Sequence, residues 1–243
     1  MIGRFTENTI YNEDCYKAIK DIPDKSVDCV YTDIPYDIEY NGGGVLRNNL
    51  IKQISDMEEH KQTLQKGIDY AILDEFMRVC KTTMIFIWCS VSQIPALLNY
   101  FIDKGCYYNI LVWGKDNPVP FGNSPFLSDI EYCLCFYESA KKFNVGATHK
   151  HKLFTSPINQ KGKSEFHHPT IKPAKLVEKH LLNATQPNDL VLDCFMGSGT
   201  TAVACKNIGR RYLGFEIEPK WHKIATDRLN NINANGQMSL FTF

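Results

Sequence analysis

The polar turn Asp33-Ile34-Pro35-Tyr36 follows a hydrophobic segment and brings together a carboxylate, a rigid backbone and an aromatic ring. The exocyclic amine of adenine or cytosine is a poor nucleophile, because its lone pair is delocalised into the ring. Two acceptors that hold the amine N–H bonds would localise this lone pair; the Asp33 carboxylate and the carbonyl of Ile34 or Pro35 suit that role. Tyr36 is placed to stack on a base, while an ordinary strand-end turn is the structural alternative.

A second candidate site is the segment 191–201, VLDCFMGSGTT, in which a hydrophobic strand runs into a glycine turn that opens a helix. Gly197 and Gly199 allow a tight turn and close approach to a ligand, and the helix N-terminus offers free N–H groups. A later strand ends at Glu216, where doubly wound folds place an acidic residue on ribose hydroxyls. These features predict an adenosine-containing cofactor. Because the third glycine of the dinucleotide motif and the P-loop lysine are missing, a turn without ligand is the alternative.

The elements that must position these two sites alternate as in an α/β protein. Strand-like segments at 28–33, 83–89, 107–113, 130–137, 189–193 and 211–216 alternate with helical segments at 67–80, 91–104, 173–184, 200–208 and 219–231. This pattern predicts an α/β fold with an open, doubly wound and mostly parallel sheet. The two candidate sites would then lie on neighbouring strands at the switch point, where ligands gather.

The composition excludes several classes of protein. The chain has 243 residues, of which 44% are hydrophobic, so it can bury a core and is not disordered. Its 27 basic and 27 acidic residues exclude a uniformly basic nucleic-acid coat. Its apolar runs are too short to span a membrane and no signal peptide is visible, so we expect a cytoplasmic protein. Nine cysteines without a C-x-x-C pair are expected to be reduced core thiols.

The segment 141–168 departs from this neutrality, with six lysines, four histidines and one glutamate. Its lysines are Lys141, Lys142, Lys150, Lys152, Lys161 and Lys163, and they make the segment a local basic patch in a neutral chain. The histidines are compatible with a metal site, but no cysteine accompanies them, and we predict no metal.

Together these motifs resemble those of the beta-class DNA amino-methyltransferases, which use S-adenosyl-L-methionine (SAM). The DIPY turn is similar to the family's catalytic motif, and DCFMGSGTT at 193–201 is similar to its cofactor motif. The catalytic motif comes first, which is the circularly permuted order of the beta class. Segments 11–15, 112–118 and 168–173 also look like family landmarks. The resemblance implies a permuted, Rossmann-like methyltransferase fold with a small inserted target-recognition region. Segment 141–168 lies where the family carries that region, so its six lysines would contact DNA phosphates; a solvated basic loop is the alternative.

The resemblance also implies a role for each matching residue. The four residues of the DIPY turn would hold the target base. The cofactor would be bound by Asp14, Asp33, Thr170, Lys172, Asp193, Phe195, Gly197, Ser198, Gly199, Thr200, Glu216 and Ile217. Among these, Glu216 would take the ribose hydroxyls and Asp14 the adenine amino group. Thr170 and Lys172 would lie near the methionine carboxylate.

The activity implied by the resemblance is site-specific methylation of DNA at the N6 of a flipped adenine. Adenine is favoured because the adenine enzymes of the family more often begin the motif with Asp. Cytosine-N4 methylation, a companion restriction nuclease, a homodimer and a non-catalytic DNA-binding module stay open. Protein-glutamine methylases place a similar turn after the cofactor motif, so the motif order speaks against them.

We divide the chain into a catalytic domain at 1–231, a target-recognition insertion at 119–167 within it, and a tail at 232–243. The tail contains Gln237-Met238-Ser239-Leu240-Phe241, which resembles the pentapeptide that binds bacterial proteins to the replication sliding clamp. Gln237 would form hydrogen bonds, while Leu240 and Phe241 would anchor in an apolar pocket. Packing of the tail on its own domain is the alternative.

Overall fold

A sheet of eight strands forms the centre of the protein in a computed structural model, which describes residues 1–36, 67–118, 126–139, 143–144, 150–158 and 171–235. The strands are β1 (Thr9–Tyr11), β2 (Cys29–Asp33), β3 (Met84–Cys89), β4 (Tyr107–Lys115), β5 (Ile130–Tyr137), β6 (Leu153–Ser156), β7 (Leu190–Asp193) and β8 (Arg211–Phe215). Their order is β1-β8-β7-β2-β3-β5-β4-β6. Only β5 runs antiparallel to its neighbours, so the predicted mostly parallel sheet is confirmed.

Helices cover both faces of this sheet. The described helices are α1 (Cys15–Ala18), α2 (Ile72–Val79), α3 (Ile94–Asp103), α4 (Ala174–Ala184), α5 (Thr200–Asn207) and α6 (Pro219–Asn235). The first three contribute to one hydrophobic cluster and the last three to a second cluster on the opposite face. The doubly wound arrangement is therefore confirmed. None of the helices in the described part of the chain is long and apolar enough to cross a membrane.

The buried strands explain why the hydrophobic pattern predicted the sheet well. All six residues of β3 are buried, because the strand lies between β2 and β5 and is covered on both faces. From α3, the ring of Phe101 stacks on Phe136 of β5 with 3.9 Å between the ring centroids. All nine cysteines are buried and free, as expected for core thiols.

The switch point of the sheet lies between β2 and β7. These strands are parallel neighbours, with Cys29 opposite Val191. Beyond the paired residues, the Thr32 hydroxyl donates a 2.8 Å hydrogen bond to Oδ1 of Asp193 and ties the two carboxyl ends together. The turn at 33–36 and the glycine loop both start from this edge, so the predicted proximity of their strands is confirmed.

Several elements differ from the sequence expectations. The three short elements β1, α1 and β6 were not predicted, because three or four residues are too few to show a period. The helix expected over 67–80 begins only at Ile72, and the helix expected over 91–104 begins with a 3-10 turn at Val91–Gln93. The loop expected over 38–57 lies outside the described residues.

We expect Phe101→Ala to lower the free energy of unfolding by about 3–5 kcal/mol, because it leaves a cavity under α3 in the core. Phe101 is fully buried, whereas the adjacent Ile102 is 47% exposed. Urea unfolding followed by circular dichroism would measure the loss. Ile102→Ala on the same helix is the matched control and should stay within about 0.5 kcal/mol of wild type. Equal losses for the two variants would contradict this view of the core.

Candidate active site

The carboxylate of Asp33 lies at the end of β2 with its two oxygens in different surroundings. Oδ2 accepts a hydrogen bond from the Lys172 ammonium. Oδ1 is buried and has no hydrogen-bond partner among the described residues. A buried acceptor without a donor is unfavourable in a folded protein, unless a ligand supplies the donor. Oδ1 is therefore suited to accept an N–H group.

The ammonium of Lys172 is enclosed by acidic and aromatic groups. The residue is 6% exposed and precedes α4. Its Nζ lies 3.4 Å from Oε2 of Glu131 and 3.4 Å from the Tyr36 hydroxyl, in addition to its contact with Asp33. It also lies 4.8 Å from the centroid of the Trp88 ring. A buried ammonium requires such partners, since isolated burial of a charge is strongly unfavourable.

Burial and charge act against each other within this cluster. Burial raises the pKa of the Asp33 carboxyl above its ordinary value, and the Lys172 ammonium opposes that rise. Although burial alone would raise the pKa of Glu131, Lys172 and Lys115 together hold it below its ordinary value. Burial would lower the pKa of Lys172, but its acidic neighbours raise it. The ammonium therefore stays protonated beside both carboxylates.

Gln93 forms a hydrogen bond with one of the two backbone carbonyl groups of the turn. This fully buried residue ends the 3-10 turn after β3, and its Nε2 donates a 2.8 Å hydrogen bond to the Pro35 carbonyl. Its own Oε1 accepts from the Ser90 backbone N–H at 2.9 Å, so the amide is held at both ends. No described residue donates to the Ile34 carbonyl. Of the two carbonyls considered from the sequence, that of Ile34 is thus the free one.

The glycine loop lies between β7 and α5. Gly197 and Gly199 have φ values of 54° and 82°, in the left-handed region that favours glycine. A Cβ atom at Gly199 would lie 2.9 Å from the Cβ of Ala225 in α6, so the close packing of α6 also requires glycine there. Arg228 of α6 donates to the Ser198 carbonyl and, at 3.1 Å, contacts its hydroxyl. The glycine loop is therefore held in place by contacts with α6.

Glu216 follows β8 and presents its carboxylate to the same loop. Oε2 accepts the Gly197 N–H at 2.7 Å and Oε1 accepts the Glu218 N–H at 2.9 Å. Burial raises the pKa of this carboxyl to about 7. Each oxygen retains acceptor capacity beyond these single bonds, as a pair of ribose hydroxyls requires. The residues present therefore fit an adenosine-containing cofactor.

Other predicted cofactor residues surround this loop. Asp193 is buried and its Oδ1 accepts the Phe195 N–H at 3.1 Å; burial raises the pKa of this carboxyl to about 6. Asp14 caps α1 by accepting the Tyr16 N–H, and the Tyr16 ring packs edge-on against Phe195 at 6.1 Å. Ile217 is exposed. The structure thus brings the start of α1 and the end of β8 to the glycine loop.

Several predicted residues lie elsewhere or outside the described chain. Outside it are Thr170, Lys141, Lys142, Lys161, Lys163, Gln237, Leu240 and Phe241. Lys150 and Lys152 are exposed and precede β6. Because β6 is parallel to β4, these two lysines lie towards the opposite end of the strand from the catalytic edge. Their DNA contacts stay a prediction.

Four residues that contribute to the site were missed by sequence reasoning. They are Asn12, which donates to the Glu216 and Ile217 carbonyls, together with Gln93, Glu131 and Arg228. Asn12 lies within a segment that already resembled a family landmark. Gln93 is a polar residue shortly after the carboxyl end of a strand, where ligands bind in such sheets, and this position could have indicated a site residue. Nothing local marks Glu131 or Arg228, because each acts on a residue far away in the chain.

The fold and the site together define a class of enzyme. Free acceptors on a rigid turn lie across the switch point from a loop that fits an adenosine-containing cofactor. Such an arrangement suits transfer of a group from that cofactor to an amine.

Comparison with known proteins identifies the family within this class. The DNA methylase family of N6 and N4 methyltransferases matches residues 27–227, and the chain belongs to it. The type II methyltransferase M.HinfI of Haemophilus influenzae is 32% identical over 255 residues, covering 94% of this chain and 70% of that protein. The crystal structure of the M1.HpyAVI–SAM complex is 30% identical with a TM-score of 0.64, covering 90% and 98% of the two chains. The structure of the cytosine-N4-specific PvuII DNA methyltransferase shares the fold. It is 18% identical, with a TM-score of 0.69, and the match covers 92% of this chain and 86% of that chain.

We expect Gln93→Met to lower the turnover of DNA methylation about tenfold, because it frees the Pro35 carbonyl and loosens the turn that carries Ile34. The affinity for the cofactor should change less than twofold, roughly, since Gln93 contacts only the turn. Steady-state kinetics and calorimetric titration would measure both. Val91→Ala, at a 65% exposed position of the same 3-10 turn, is the control. Turnover equal to the control would contradict the positioning role of Gln93.

Proposed function

We propose that this protein is a site-specific DNA methyltransferase that moves a methyl group from SAM to the exocyclic N6 of an adenine. The observation that carries the proposal is Oδ1 of Asp33, a buried acceptor to which no described residue donates. The neighbouring Ile34 carbonyl likewise receives no hydrogen bond from the described residues. Two acceptors one residue apart at the end of β2 can hold the two N–H bonds of an exocyclic amine.

The chemistry of the site follows from this pair. By holding both N–H bonds, the Asp33 carboxylate and the Ile34 carbonyl draw the amine nitrogen away from planarity and localise its lone pair. The same oxygens stabilise the positive charge that forms on nitrogen during the transfer. Tyr36 stacks on the base that is drawn out of the helix, and Pro35 limits movement of the turn.

The methyl donor is SAM, which the M1.HpyAVI complex names as bound to that relative. In this chain Glu216 binds the ribose hydroxyls, and the loop from Gly197 to Thr200 surrounds the methionine part. When bound, SAM supplies an electrophilic methyl group. The protein positions the methyl donor and the amine and stabilises the charge that forms, because the transfer needs no further covalent chemistry. Lys172 or Thr170 near the methionine carboxylate, and Asp14 at the adenine, are further parts of this proposal.

Adenine is the proposed base because the motif begins with Asp33. Cytosine-N4 methylation would use the same geometry, since both bases present an exocyclic amine of the same kind. The relative M.HinfI is named a type II methyltransferase, and this name supports the proposal that the enzyme acts on DNA. DNA is the substrate, and the insertion at 119–167 is the proposed recognition region.

We expect wild-type protein with labelled SAM and unmethylated DNA to yield N6-methyladenine when the digested nucleosides are identified by mass. Asp33→Ala should lower turnover roughly a hundredfold or more, because it removes an acceptor that acts in the transition state. Cofactor binding should change much less than turnover.

The matched control is Asp103→Ala, which removes an exposed carboxylate at the end of α3. It should leave turnover unchanged. N4-methylcytosine as the product would keep the mechanism and overturn the base assignment. Full activity of the Asp33 variant would overturn the proposed role of the turn.

The tail motif supports a separate proposal, that the enzyme binds the replication sliding clamp. Replacing Leu240 and Phe241 by alanine should abolish capture by immobilised clamp, because these side chains would supply the apolar anchor. Methylation of free DNA should be unchanged, which controls for folding. Capture at the wild-type level would end this idea.

A further inference from the structure

Glu131 connects two lysines at the edge of the candidate active site. Its Oε1 lies 2.8 Å from Nζ of Lys115 and its Oε2 lies 3.4 Å from Nζ of Lys172. Its side chain is 17% exposed, and that of Lys172 is 6% exposed. Lys172 in turn binds Asp33. Lys115 on β4, Glu131 on β5, Lys172 and Asp33 thus form a row of alternating charges that ends at the turn after β2.

The net charge around the turn depends on Glu131. Lys115, Lys172 and Asp33 without Glu131 would carry a net charge of +1, next to the place where an amine nitrogen becomes positive. Adding the Glu131 carboxylate, which contacts both ammonium groups, makes the four groups neutral. Because these groups are buried, their charges are poorly screened by solvent.

We propose that Glu131 is a positioning residue for methyl transfer, whose carboxylate offsets the ammonium charge beside Asp33, so that the turn carries no excess positive charge as the amine becomes positive. The inference rests on the proposed function, because it concerns the same transfer. Glu131 contacts Lys172 and not the reacting atoms in this arrangement. It should therefore act on turnover and not on cofactor binding.

The pH dependence of turnover gives a readout that a structural role would not change. Groups that face Asp33 or Glu131 from the surrounding elements are Lys172, Tyr36, Asp193, Cys89, Cys133, Tyr31 and Lys115. Asp33 must be ionised to accept the amine, so turnover falls as the pH falls through the pKa of Asp33. The charge of Glu131 raises that pKa. Removing the charge should therefore move the acid limb to lower pH.

The test compares four variants of the full chain. We expect Glu131→Gln to lower kcat about tenfold, with cofactor affinity within about twofold and the acid limb moved to lower pH. Glu131→Asp keeps the charge and should recover most of the loss. Glu138→Gln makes the same change just beyond the other end of β5, where the carboxylate contacts Thr83, and is the matched control. Lys115→Met breaks the same contact between β4 and β5 but removes a positive charge, so it should move the acid limb to higher pH, opposite to Glu131→Gln.

The outcomes separate the inference from the proposed function. Melting temperatures and cofactor titration show whether each variant is folded. Equal kcat losses for Glu131→Gln and Lys115→Met would mean that Glu131 only ties β4 to β5, and the inference would be overturned. So would a Glu131→Gln protein with the kcat and acid limb of Glu138→Gln. A wild-type protein that methylates no base would instead overturn the proposed function, and the inference with it.

Discussion

The catalytic end of the sheet depends on one buried ammonium. Lys172 is the shared partner of Asp33 on β2 and Glu131 on β5, and it reaches them from the segment before α4. Three charges in a buried position are tolerated only together. Removing one partner of such a group typically costs about 3–5 kcal/mol, because an uncompensated charge remains. The cluster therefore limits the positions of three separate parts of the chain.

Around this cluster, several polar atoms have hydrogen-bond partners among the described residues, and one buried oxygen does not. The Pro35 carbonyl is held by Gln93, the Ser198 carbonyl by Arg228 and the Glu216 carboxylate by two backbone N–H groups. By contrast, Oδ1 of Asp33 is buried and receives no hydrogen bond within the part of the chain that the structure describes. Proteins pair nearly all buried polar atoms. An atom left without a partner inside such a well-connected edge therefore marks the place where a ligand belongs.

The sequence predicted the parts of this design that depend on local pattern. Apolar runs predicted the positions of β3 and β5, and the glycines predicted the loop before α5, because burial and backbone conformation produce local sequence patterns. The charge cluster has no such local pattern. Glu131 is a charged residue near the start of an otherwise apolar and aromatic strand, and its side chain is 17% exposed in contact with Lys172. Its role depends on a contact between distant segments, which no local period reports.

The helix α6 has a consequence for how the enzyme is made. Arg228 holds the glycine loop, and Ala225 packs against Gly199, so the last described helix completes a site whose catalytic turn lies near the start of the chain. Synthesis delivers β2 well before β7, β8 and α6. A nascent chain therefore carries the turn that begins at Asp33 long before α6 can hold the glycine loop. The two halves of the candidate site are thus completed at different times during synthesis.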